Sequence, residues 1–146
     1  MSVERFRAGA ATTDITPDRA LPNYNGSICR VDPDASPLRC HAVVFDNGET
    51  AGAIVSLDLT FVDRSLLLTI RDRCQHATGI PGTNILIGAT HTHAAPASCP
   101  SFLSGALPDP LFLDLVVNRT VAAVKSAHDQ RSPALMQGTA CRAPGF

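Results

Sequence analysis

The chain is 146 residues long with 45% hydrophobic and 17% charged residues, enough for one compact core and too apolar for a disordered segment. Twelve basic against thirteen acidic side chains leave a net charge of -1, so the basic footprint that a nucleic-acid partner requires is absent. No apolar run reaches the ~20 residues that span a bilayer, and residues 1–146 read as a single domain.

The opening Met-Ser-Val-Glu-Arg-Phe-Arg carries charge directly after the methionine and no apolar stretch, so no secretory signal is read and a cytoplasmic setting is the default expectation. Phe6 to Ile15 is rich in small and β-compatible residues and stops at Thr16-Pro17, which predicts a first strand. The stretch 18–37 is dense in Pro, Asn, Asp, Gly and Ser and reads as one long loop, either a pocket wall or lid or a plain surface excursion. Asn25-Gly26-Ser27 within it, like Asn118-Arg119-Thr120 further on, fits a glycosylation pattern, a chance match without a signal peptide.

Leu38 to Phe45 predicts a second strand, and Asn47-Gly48 after it is a strong hairpin signal. Thr50 to Leu59 is nearly continuous in apolar residues, the pattern of a central strand covered on both faces. Leu66, Leu67, Ile70, Cys74 and Ala77 recur at helical spacing between a capping Asp63 and a terminating Gly79 and Pro81. Asn84 to Ala89 predicts a short buried strand, so Thr50 to Ala89 forms a strand, helix, strand unit with parallel strands and a right-handed crossover. Asp109-Pro110 is a cap and first-turn pair ahead of a helix over Leu111 to His128, and Pro133 to Cys141 reads as a weaker final strand. The expected fold class is α/β, a mixed sheet with a β-hairpin and one βαβ unit and helices packed on the sheet. Cys29, Cys40, Cys74, Cys99 and Cys141 are odd in number and widely spaced, which argues for free thiols over a disulfide framework or a zinc knuckle.

The chemistry-bearing segment is Gly88-Ala89-Thr90-His91-Thr92-His93-Ala94-Ala95-Pro96, at the carboxyl end of the second parallel strand, where open α/β sheets bind ligands. In extended backbone, side chains two apart share a side, so His91 and His93 can address one metal ion or one substrate. Two polar histidines satisfied by backbone groups are the plainer alternative. A catalytic zinc takes three protein ligands and leaves one position open, so the pair alone is not a complete site. A metallo-β-lactamase motif would place Asp and His where Ala95 and Pro96 stand, and a barrel amidohydrolase needs about 250 residues. Ser56 as a nucleophile lacks the Gly-x-Ser-x-Gly elbow.

Four ordered blocks, Ala8-Gly9-Ala10-Ala11-Thr12-Thr13-Asp14-Ile15-Thr16-Pro17, Leu38 to Phe45, Ile54-Val55-Ser56-Leu57-Asp58 and Gly88 to His93, resemble the opening of the neutral/alkaline, non-lysosomal ceramidases. The resemblance runs from Arg7 to about Ala140 and corresponds to the front part of that family's catalytic domain. It implies a zinc-dependent hydrolase of N-acyl amide bonds acting on N-acylsphingosine or a related lipid amide. His91 would be the first zinc ligand, with His93 beside the metal, bonding the substrate or its developing oxyanion. Water activated by the zinc would attack the amide carbonyl. Asp58, at the end of the neighbouring parallel strand, would be a carboxylate orienting an imidazole, or otherwise a capping or loop carboxylate.

The sequence departs from the family where Ala94-Ala95-Pro96-Ala97 replaces the usual Ser-Gly-Pro-Gly, and where His41, a core-edge histidine or an extra polar group of the site, replaces an arginine. His76 and His128 sit near helix C-termini and are expected to take no part in catalysis. The family's second histidine, glutamate and tyrosine ligands lie beyond the matched region, and no Glu follows Glu49. The expectation is therefore an incomplete domain whose site is finished by a missing C-terminal region or a partner chain, with an apolar face left uncovered. The alternative of a different class is a catalytically silent small α/β binding or interaction module.

Overall fold

The computed structural model describes residues 6–140 apart from Val31 and Pro33. Five strands form one mixed sheet. Strand β1 (Arg7–Asp14) is followed by the two-residue strands β2 (Leu21–Pro22) and β3 (Ile28–Cys29), then β4 (Arg39–Asp46) and β5 (Ala51–Leu57). Helix α1 (Arg64–Thr78), a 3-10 turn at Gly82–Asn84, β6 (Ile85–Ala89), α2 (Pro110–Asp129) and β7 (Ser132–Pro133) complete the order. The main sheet runs β6-β5-β4-β1-β7, with β5 and β6 parallel and the other neighbours antiparallel; β2 and β3 pair as a separate hairpin. The expected hairpin and βαβ unit are both present. No helix among the described residues is long and apolar enough to cross a membrane.

The hairpin turn spans Asn47 to Thr50. The Asp46 carboxylate accepts from Gly48 N, and the Asn47 side chain accepts from Glu49 N and Thr50 N, while Gly48 takes φ 86° as the turn requires. Helix α1 starts where the Asp63 carboxylate accepts from Leu66 N at 2.8 Å and stops at Gly79 in the left-handed conformation. Helix α2 starts where Asp109 accepts from Phe112 N at 2.9 Å and from Arg19 Nη2 at 2.8 Å. The Phe112 bond first, and Arg19 second, hold the Asp109 carboxyl below its ordinary value.

Alternate residues of each strand face the helices. Cys40, Ala42 and Val44 of β4, Ala53, Val55 and Leu57 of β5, and Ile85 of β6 meet Leu66, Ile70 and Cys74 of α1 and Val116, Ala123, Val124 and Ala127 of α2 in one buried cluster. Each valine, leucine or isoleucine of the cluster contributes about 1.5–3 kcal/mol on burial, and each alanine less. The opposite face is open, with Val43, Ile54 and Leu86 aligned across β4, β5 and β6 at 43%, 49% and 61% exposure. Strand β5 is thus internal to the sheet but, among the described residues, covered on one face only, contrary to the expectation from its continuous apolar run. That run reports apolar residues on both faces, not layers on both faces.

Three further expectations are corrected. The stretch 18–37 contains the β2/β3 hairpin. The final strand is limited to Ser132–Pro133, which pairs with Arg7 and Ala8, while Cys141 lies outside the described residues. His41 is exposed on the open sheet face, its Nδ1 2.9 Å from Thr12 Oγ1, and is not a core-edge residue.

Candidate functional site

The parallel strands β5 and β6 deliver two chain segments side by side at their carboxyl ends. Beyond β6, Thr90 N donates to Leu57 O at 2.9 Å and His91 N to Leu59 O at 3.0 Å, so the ladder continues past the strands. The buried Thr60 hydroxyl then donates to Thr92 O at 2.8 Å. His91 has φ 65°, the sole positive φ at a non-glycine among the described residues. A left-handed L-residue costs about 1–2 kcal/mol, and such strain is retained where the surroundings fix it.

That conformation turns the imidazole of His91 back toward the segment after β5. Its Nδ1 lies 2.8 Å from Thr60 O, and its ring stands edge to face with Phe61 at 5.0 Å between centroids. The ring of His93 is 5.1 Å from that of His91 at an interplanar angle of 82°. The two imidazoles do meet, although not by alternation in extended backbone. The strand ends at Ala89, and the left-handed turn at His91 brings the rings together.

His93 is held by the long loop. Asn23 Nδ2 donates to His93 O at 3.2 Å, and Asn25 Nδ2 lies 3.1 Å from His93 Nδ1. The Asn23 side-chain oxygen accepts from Asn25 N and Ser27 N, which shapes the turn carrying Asn25. Underneath, Asn23 bridges to Pro96, Ala97 N donates to Pro22 O, and Ala95 and Ala97 are fully buried against the hairpin. The small residues after His93 therefore seat the β2/β3 hairpin. Tyr24, buried, meets Phe61 edge to face at 4.8 Å and the exposed Phe102 likewise at 5.9 Å.

A cleft of about 690 Å³ opens beside His93, walled by Pro17, Ile28, Pro37 and Leu38 with Asp14 among its polar groups. Two bonds from Thr16, side chain first and backbone second, hold the Asp14 carboxyl below its ordinary value. The loop 18–37 supplies much of this wall.

Asp58 stands at the same end of the sheet on different partners. Its Oδ2 accepts from Arg39 N at 2.9 Å and its Oδ1 from the Thr90 hydroxyl at 3.1 Å. It ties the start of β4 to the residue before His91, while the acceptor at the His91 ring is the Thr60 carbonyl. His76 and His128 lie at the far ends of α1 and α2, on Asp72 and Asp129 respectively. Neither motif nor spacing marks Thr60, Phe61 or Asn23 in the sequence. A backbone carbonyl leaves no mark on residue type, and Asn25 drew notice only through its Asn-Gly-Ser pattern.

A donor nitrogen on His91 with its second ring nitrogen fixed by a carbonyl matches how metal-binding imidazoles are oriented. His91 is such a ring, whereas at His93 the neighbour of Nδ1 is the Asn25 amide nitrogen. Among the described residues no group of three His, Cys, Asp or Glu side chains could hold a metal ion. The donors present fit part of a zinc site.

The fold that carries this pair is ceramidase-like. Two solved structures show it: the neutral ceramidase from Pseudomonas aeruginosa and a ceramidase complexed with C2, each superposing with a TM-score of 0.70 at 19% identity over 88% of this chain. The chain spans 22% of the length of either. No family model matches the chain, and no curated protein is significantly similar in sequence.

Proposed function

We propose that this chain forms the histidine-bearing part of a zinc-dependent hydrolase of N-acyl amide bonds, with a lipid-like amide such as N-acylsphingosine as the substrate class. The observation that carries this reading is the pair of imidazoles 5.1 Å apart at the carboxyl ends of β5 and β6, each with one ring nitrogen engaged. The ceramidase-like fold supports it.

In this reading His91 is a zinc ligand and His93 bonds the carbonyl oxygen of the scissile amide as it gains charge. When bound, zinc would polarise that carbonyl and lower the pKa of a water to about 7. Thr60 fixes the His91 ring, the Asn23–Asn25 turn fixes His93, and Asp58 holds Thr90, so that the backbone enters the left-handed turn at the right point. Pro17, Ile28, Pro37 and Leu38 give the cleft beside His93 an apolar wall against which an acyl chain can lie. The remaining zinc ligands come from a further C-terminal region or a partner chain. The lack of a third donor among the described residues favours one other reading, a catalytically silent binding module descended from the same fold.

The test is hydrolysis of a fluorogenic N-acyl amide by the chain expressed with whatever its reading frame encodes beyond residue 146. The expected result is zinc-dependent turnover that His91→Ala removes and His93→Ala lowers by about 10²–10³, the effect of losing one oxyanion donor. Turnover unaffected by chelation or by His91→Ala would exclude zinc-dependent hydrolysis at His91, and the absence of turnover in the unsubstituted protein would favour the silent module.

A further inference from the structure

The two rings of the site differ in what holds them. Thr60 O faces Nδ1 of His91 at 2.8 Å, and a backbone carbonyl only accepts. In the neutral ring, Nδ1 of His91 must carry the proton and Nε2 must carry a lone pair. At His93 the neighbour is the Asn25 amide nitrogen, 3.1 Å from Nδ1, and an amide NH2 only donates. Nδ1 of His93 must therefore accept, which leaves the proton on Nε2.

We propose that Asn25 is a positioning residue that locks His93 in the tautomer opposite to that of His91. The consequence is a division of labour between adjacent imidazoles. His91 presents a lone pair, the form a cation takes, whereas His93 presents an N–H, the form that donates to an oxygen gaining negative charge. Two rings in the same tautomer would offer either two lone pairs or two donors at this spot. The functional part of this inference rests on the hydrolase reading, but the tautomers do not.

The lock reaches His93 from the long loop. Asn23 places the turn, accepting from Asn25 N at 3.0 Å and from Ser27 N at 2.9 Å, and its Nδ2 clamps the turn onto His93 O. Gly26 follows with φ 86°, and a Cβ there would press on Ser104 Cβ at 2.9 Å. The loop 18–37 thus sets the proton position on a ring of the site as well as walling the cleft.

The experiment is nitrogen-15 NMR of histidine-labelled chain, free of metal, at pH about 8, where ordinary imidazoles are neutral. Protonated and unprotonated ring nitrogens are distinguished by their shifts and by their couplings to the ring carbon-bound protons. In the wild type, His91 is expected to show protonated Nδ1 and His93 unprotonated Nδ1, the latter by about fivefold from a single hydrogen bond. Asn25→Asp replaces the donor with an acceptor. It should convert Nδ1 of His93 to the protonated form while leaving the His91 pattern unchanged, and that unchanged pattern reports an intact fold. In Asn25→Gln, which restores an amide donor on a longer arm, Nδ1 of His93 should return toward the unprotonated form.

A protonated Nδ1 at wild-type His93, or a His93 pattern indifferent to Asn25→Asp, would overturn the lock. Zinc plays no part in this readout. Failure of amide hydrolysis with the tautomers as described would count against the hydrolase reading alone.

Discussion

The left-handed backbone at His91 makes a prediction in which two substitutions separate strain from side-chain chemistry. At φ 65° any residue with a Cβ bears about 1–2 kcal/mol, and His91 offsets it with its bond to Thr60 O and its contacts with Phe61 and His93. His91→Ala loses the ring and keeps the strain. His91→Gly loses the ring and the strain, but gains unfolded-state entropy that costs about 0.4–1 kcal/mol. Both variants forfeit the same side-chain contacts, so their difference isolates the backbone. The strain relief equals or exceeds the entropy cost, and His91→Gly should be more stable than His91→Ala by about 0–1.6 kcal/mol, centred near 0.8. Urea unfolding followed by circular dichroism, extrapolated linearly to water, reads the difference directly. If His91→Ala is the more stable of the two, the backbone at this position is not strained and the account of how the rings are brought together fails.

Three other outcomes are expected. A Cβ at Gly9 would lie 3.0 Å from Arg131 N and 3.2 Å from Ala127 C, closer still to the Ala127 carbonyl oxygen, so Gly9→Ala should cost about 1–3 kcal/mol despite the better strand propensity of alanine; an unchanged urea midpoint would show that α2 does not press on β1. Asp14, through Thr16, Asp109, through Phe112 and Arg19, and Asp129, through Lys125 and His128, have folded-state pKa values below the ordinary 3.8. Their stabilisation is complete above that value and lost as pH falls through the lowered ones, so the melting temperature should drop on acidification below about pH 4; a flat or rising profile there would contradict it. Burial pushes the Cys74 thiol up to about 12 and Cys40 in the same direction, so alkylation mapped by mass spectrometry at pH about 8 should reach the half-buried Cys29 and Cys99 first and Cys40 and Cys74 only in denaturant. Equal labelling of all four in the native protein would refute that burial.

Much of this fold is legible because its local signals agree with one another. Asp63, Gly79, Asp109 and Pro110 each sit at the helix ends where capping chemistry places them, and Asn47-Gly48 joins the two hairpin arms. The His-x-His segment was visible at the strand end because topology fixes where α/β sheets open. What was not legible depended on tertiary partners. The apolar residues of β5 could not reveal that Ile54 faces away from the helices. The β2/β3 hairpin, two residues on each arm, has too short a pattern to be told from loop. Above all, the orienting group for His91 is the carbonyl of Thr60, which any residue could supply, and the left-handed φ at His91 has no compositional trace because histidine does not advertise it as glycine would. The tie from Asp58 to Thr90 and Arg39 was within reach of its position but not of its partners.

The central claim is that His91 is a metal ligand, and zinc titration of the metal-free chain by calorimetry tests it most directly. The expected result is saturable binding of one zinc ion per chain, weak because His91 is the one ring of the pair that presents a lone pair, and abolished by His91→Ala. Binding of equal affinity in wild type and His91→Ala would contradict it.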